Sequence, residues 1–205
     1  AIEILASHGV RLGGTDFDRV LSLETVMPLL GRGHEIRHAF GDQTHTAPAT
    51  IFNDLATWQK IPFLYAPDSR RLARDLAKYA VTPAVLGRLV GVLEDELGHD
   101  IAFAVEAGKI AANTTGEGAV ALGVVERGMR VPLPAQTVKD LLDPMARQMG
   151  QAAHQTVIQA GVTPAAVTHL VFVGGLHIVE LDAEPAADRQ GRPTCRASWP
   201  AATEA

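Results

Sequence analysis

Leu12-Gly13-Gly14-Thr15-Asp16-Phe17-Asp18 decides how this chain is read. Before it, Ile2 to Ser7 has the apolar character of a strand; beyond it, a helical pattern begins near Asp16. Paired glycines allow the backbone φ > 0 and a close approach to another backbone or a ligand. Thr15 or Asp16 is placed to cap the helix, whose first N–H groups favour an anion or the polar edge of a ligand. Taken alone, Gly-Gly before a capped helix is most simply a tight turn.

Working outward, Phe17, Val20, Leu21, Met27 and Leu30 form one apolar stripe at helical spacing over Asp16 to Leu30. Pro28 cannot donate to the carbonyl of Glu24, so a kink or early end is expected, and Gly31-Arg32-Gly33 breaks the helix. From His34 to Pro67, Gly and Pro separate short apolar pieces, with a helix expected over Ile51 to Trp58, capped by Thr50. His34, His38 and His45 lie in this interrupted sequence without a nearby Cys or HExxH pattern, so a metal site is not the preferred reading.

Helices are expected at Asp68 to Ala80, capped by Asp68 or Ser69, and from Thr82-Pro83 onward, a cap followed by proline at the first helical position. Arg70, Arg71 and Arg74 read as a solvated face, and Glu94-Asp95-Glu96 as a solvated face or turn. Leu97 to Thr115 reads as one helix with Ile101, Ala102, Val105 and Ile110 facing a core. Ala119 to Val125 and Met129 to Val131 alternate as strands joined in a hairpin around Glu126-Arg127-Gly128. A long amphipathic helix starts at Gln136 or Thr137 and ends at Gly161, and Thr163-Pro164 starts a single turn. His169 to Val173 is a short, almost wholly apolar strand of the kind buried in a parallel sheet, running into Gly174-Gly175. Past Glu180 no apolar periodicity remains, and a disordered or poorly packed tail is expected.

Composition bounds the function. The 205 residues, 47% hydrophobic and 20% charged, describe an ordinary globular chain of one large or two small domains. A net charge of −5 gives no basic face for nucleic acid. No apolar run reaches the ~20 residues that span a bilayer, and no secretory signal pattern is present. The lone Cys195 excludes an internal disulfide framework and suits a reducing, cytoplasmic setting. Opening directly on a strand pattern with Ala1, the chain reads as part of something longer.

Three stretches in order then resemble one family. Leu12 to Asp18 looks like the LGGxDFD signature of the DnaK-type heat-shock chaperones, the heat-shock protein 70 family. Val105-Glu106-Ala107-Gly108-Lys109-Ile110-Ala111-Ala112-Asn113 resembles their adenosine-binding helix, with E-x-x-K-x-x-x-S spacing, and His169 to Gly175 their second adenosine motif. Val26-Met27-Pro28-Leu29-Leu30-Gly31 is similar to the divergent YegD-like branch. The resemblance spans Ala1 to about Gly175.

It implies an α/β chain of actin-like ATPase (ribonuclease H-like) fold, its second lobe only. Residues 1–30 would start the sheet subdomain, 31–133 form an inserted, mostly helical subdomain with a hairpin, and 134–179 complete the sheet subdomain; 180–205 would be an aberrant or disordered tail. The implied ligand is ATP or ADP, with Mg²⁺ belonging to the intact parent. Glu106 and Lys109 would hydrogen-bond ribose hydroxyls, Asn113 would help frame the base, Gly14 would pass close to the ribose, and Gly174 and Gly175 would close the opposite wall. Independently of the family, Glu106, Lys109 and Asn113 at i, i+3 and i+7 share one helix face. As an isolated feature they are an ordinary surface Glu–Lys pair.

The chain also departs from the family. Asn113 replaces a serine, Ile110 stands where an arginine often stacks on the base, and agreement stops at Leu176-His177-Ile178, as in a truncated or frameshifted gene product. The phosphate loops, the catalytic lysine and the metal-site acids of the family lie in parts not represented here, so no hydrolysis is expected of this chain alone and no catalytic residue is assigned. Asp16 and Asp18 then read as helix-start and interlobe residues. In the parent, nucleotide turnover in the stress response would be coupled to unfolded client proteins. The alternatives are a non-catalytic interaction module that keeps the surface gripped by nucleotide-exchange factors, and a fragment of another actin-fold kinase such as a sugar kinase.

Overall fold

The computed structural model describes residues 3–38, 43–169, 180–187 and 193–198. It divides into two compact units, one of residues 15–138 and one of 1–14 with 139–205.

The unit 15–138 opens in helix α1 (Gly14–Leu21), which straddles the boundary and buries Phe17 and Leu21, one turn apart. A π-helical turn (Ser22–Val26) and a 3₁₀ turn (Met27–Leu30) continue it. Pro28 explains the change: with no N–H to offer Glu24, the ladder shifts so that the Met27 N–H reaches the Ser22 carbonyl. Gly31, at φ +113°, ends the segment as the left-handed cap. Strands β1 (Glu35–Arg37) and β2 (Thr44–Thr46) pair antiparallel, and Ile36 bridges to Ala80. The rings of His38 and His45 lie 4.7 Å apart in this pair.

Helix α2 (Ala49–Leu55), a 3₁₀ segment (Trp58–Tyr65), α3 (Pro67–Tyr79) and α4 (Pro83–Glu94) follow. The expected caps are corrected: Pro48 precedes α2 and Ala66 precedes α3, neither with a side-chain capping bond. Fixed φ at Pro67 and Pro83 starts α3 and α4 instead, since proline's missing N–H is an orphan at that position anyway. The arginines of α3 are not merely solvated. Arg74 Nη1 lies 2.7 Å from Glu94 Oε1 and Arg70 Nη2 2.6 Å from Glu96 Oε1, so the acidic run is their counter-charge.

Helix α5 (Gly98–Thr115) ends at Gly116, φ +79°. Its buried stripe is Ile101, Val105, Gly108, Lys109 and Ala112; Ile110, expected inside, is 55% exposed because it projects from the opposite face. Strands β3 (Glu117–Ala121) and β4 (Arg130–Pro134) form the expected hairpin, with Gly128 at φ +79° in its turn. The hairpin lies hard against α5: a Cβ at Gly108 would come within 2.9 Å of the Ala119 carbonyl oxygen. Arg88 Nε meets Glu126 Oε2 at 2.6 Å, tying α4 to the hairpin turn.

Helix α6 (Ala135–Gln159) carries Pro144 within it and crosses into the second unit, where a 3₁₀ turn (Pro164–Ala166) follows Thr163 as expected. Two expectations fail in this unit. Residues 3–7 form no strand, and Ile4 is 82% exposed: apolar character does not make a strand without a partner edge to satisfy its backbone. Among the described tail residues, β5 (Glu180–Ala187) and β6 (Pro193–Ser198) pair antiparallel where disorder was expected, because backbone pairing does not require apolar periodicity. The expected strand His169–Val173 falls almost wholly outside the described residues. The described sheets are three two-stranded antiparallel pairs.

Candidate functional site

Within the unit 15–138, Asp18 of the first quoted motif meets Lys109 of the second. Helix α1 presents Asp18 between the buried Phe17 and Leu21, and α5 presents Glu106, Lys109 and Asn113 along one side. Lys109 is 6% exposed, and its Nζ lies 2.6 Å from Asp18 Oδ1. At this distance the ammonium and the carboxylate form a close ion pair, and Lys109 acts on Asp18 both through a side-chain hydrogen bond and by coulombic attraction. Burial pushes the Asp18 carboxyl above its ordinary 3.8, opposed by the Lys109 ammonium and reinforced by the negative charge of Glu106. Desolvation outweighs the ion pair here, as expected for a carboxylate taken out of water with one counter-charge.

Glu106 is exposed and forms one lip of a groove of about 280 Å³. Asp18, Ser22, Leu55 and Ala102 also line it. Asn113, a turn beyond Lys109, is half-buried, and its Oδ1 is buried without a hydrogen-bond partner among the described residues. A buried acceptor left unpaired costs about 1–3 kcal/mol, so this oxygen is a polar liability on the site face.

The glycines fare differently. Neither Gly13 nor Gly14 has positive φ; Gly14 is the first residue of α1, and a Cβ there would meet nothing within 4 Å. The left-handed turn anticipated for this pair is therefore corrected: the chain enters α1 directly, and helical φ suits any residue. Gly14 belongs to the other compact unit, and Gly174 and Gly175 lie outside the described residues.

Sequence reasoning placed the α5 face and missed its anchor. Asp18, which the resemblance makes an interlobe residue, supplies the counter-charge of Lys109 from 91 positions away in the chain, which no local pattern signals. It also missed the aromatic rim: the Trp58 ring lies 5.1 Å from Phe103 and 4.6 Å from His99, both on α5. The spacing of His99, Phe103 and Glu106 at i, i+4 and i+7 was the available signal. Chemically, the site offers carboxylates, an ammonium and an amide, which suit recognition of hydroxyls and polar ring edges. Among the described residues no group of three or more His, Cys, Asp or Glu is arranged to hold a metal ion. No family model matches the chain, and no solved structure matches it.

Proposed function

We propose that this chain is part of the nucleotide-binding domain of a DnaK-type chaperone, with α5 as the adenosine-contacting helix. The observation that carries the reading is the 2.6 Å contact between Asp18 and Lys109. It joins two of the three segments on which the resemblance rests, 12–18 and 105–113, although nothing in their separate sequences requires them to touch. Glu106 accepts hydrogen bonds from ribose hydroxyls. Lys109 carries three N–H donors and gives only part of that capacity to Asp18, so it is held in place and keeps donors for a ligand. Asn113 offers an amide to the base. In the parent protein, ATP and ADP binding of this kind is coupled to the handling of unfolded clients.

Titration of fluorescently labelled ATP, and of adenosine in competition, tests the reading. Glu106→Ala removes an exposed side chain without disturbing the core and is expected to weaken binding about tenfold, the loss of a hydrogen bond to a charged acceptor. Lys109→Ala is expected to weaken it at least as much. Absence of measurable binding to the unaltered chain, or equal affinity in all three proteins, overturns the assignment.

A further inference from the structure

The groove beside Glu106 combines aromatic walls with negative charge. Trp58, at the start of the 3₁₀ segment, meets Phe103 edge-to-face at 76°, and the two rings remain 39% and 57% exposed. Large rings left in water at the rim of one concavity are the residues from which binding sites are made. The charged residues of the lining are Asp18 and Glu106, with no Lys, Arg or His among them. Asp18 is answered from behind by Lys109, which leaves the Glu106 carboxylate as the excess charge at the mouth. Arg19, the next residue of α1, is turned to Thr57 Oγ1 at 3.2 Å and Asn53 Oδ1 at 3.5 Å. Thr15 and Ser22 contribute hydroxyls.

We infer that the groove between Trp58, Phe103 and Glu106 binds a compact organic cation, a guanidinium on a short apolar stem. The faces of tryptophan and phenylalanine attract cations, and a flat, weakly hydrated guanidinium stacks on a ring while its N–H groups meet a carboxylate. Leu55 and Ala102 line the space for the stem. A groove of about 280 Å³ admits a side-chain-sized group, below the usual range for larger ligands. The inference shares Glu106 with the nucleotide reading and does not rest on it.

The test uses the full chain carrying Trp199→Phe, which leaves Trp58 as the one tryptophan, and follows its emission. Butylguanidinium is the probe and butylurea its uncharged analogue. The expected result is a saturable change with butylguanidinium and binding of butylurea at least tenfold weaker. Phe103→Ala and Glu106→Gln, both at exposed positions, should each weaken the cation about tenfold while the circular dichroism is unchanged. Phe103→Ala should leave ATP affinity intact, which separates this site from the adenosine contacts. No saturable response, equal binding of the charged and uncharged probes, or a Trp58 response to adenosine but not to butylguanidinium overturns it.

Discussion

Asp18 is pulled in opposite directions, and the sign of the result is measurable. Its carboxyl titrates above 3.8 in the folded chain because burial outweighs the attraction of Lys109. Between 3.8 and the raised value the folded state binds more protons than the unfolded one, so stability falls as pH rises through that window. Asp18→Asn removes the titration. The stability of the unaltered chain relative to Asp18→Asn should therefore grow as pH is lowered from neutral towards 3.8, read by urea unfolding at each pH. A gap that shrinks on acidification would mean that the ion pair dominates. Removing the other partner has a larger effect: Lys109→Met strands a mostly buried carboxylate and should cost about 3 kcal/mol, and adding Asp18→Asn to that variant should restore most of the loss.

Helix α5 is started by a residue far away in the chain, whereas α3 and α4 start at their own prolines. Gly98, the first residue of α5, donates its N–H to the Tyr65 hydroxyl at 3.1 Å, and that hydroxyl donates to the Glu96 carbonyl at 2.9 Å. Arg70 ties Tyr65 to this turn: its Nε donates to the Tyr65 carbonyl at 2.8 Å, and its Nη1 donates at 3.3 Å to the carbonyl of Glu94, two residues before Glu96, which adopts φ +58°. Tyr65→Phe keeps the ring and deletes both hydroxyl contacts, exposing one orphan N–H of the helix terminus. It should lower stability by about 1–2 kcal/mol in urea unfolding; an unchanged midpoint would mean that water replaces the hydroxyl without loss. This arrangement also shows why the sequence was only partly legible. Proline fixes its own φ, so the start of α4 and the break at Pro28 could be read locally. The hydrophobic period located the stripe of α1 and the hairpin. The cap on α5 comes from 33 residues upstream, and the strand expected at 2–7 depended on a partner edge; neither is encoded in a local window. At the site, one helix face was legible from i, i+3, i+7 spacing, whereas Asp18 and Trp58 reach it only through the tertiary fold.

At the scale of the molecule, burial is concentrated. Among the described residues up to 169, every buried apolar side chain except Leu142 lies between Phe17 and Val138, close to the limits of the compact unit 15–138. It contains the segment 31–133 expected as an inserted subdomain together with α1 and its π and 3₁₀ continuation, whose Leu21, Val26, Met27 and Leu30 are fully buried. A segment that supplies four such side chains belongs energetically with the core it enters, since each buried residue of this size contributes about 1.5–3 kcal/mol. The Asp18–Lys109 pair and the groove beside it also fall inside these limits. Residues 15–138 expressed alone should accordingly unfold in one cooperative urea transition and retain the pH dependence assigned to Asp18. Residues 31–133 alone, deprived of the α1 side chains and of the Lys109 counter-charge, should lose cooperativity. A sharp transition for 31–133 equal to that of 15–138 would show that α1 is peripheral to this core, and that Lys109 tolerates burial without Asp18.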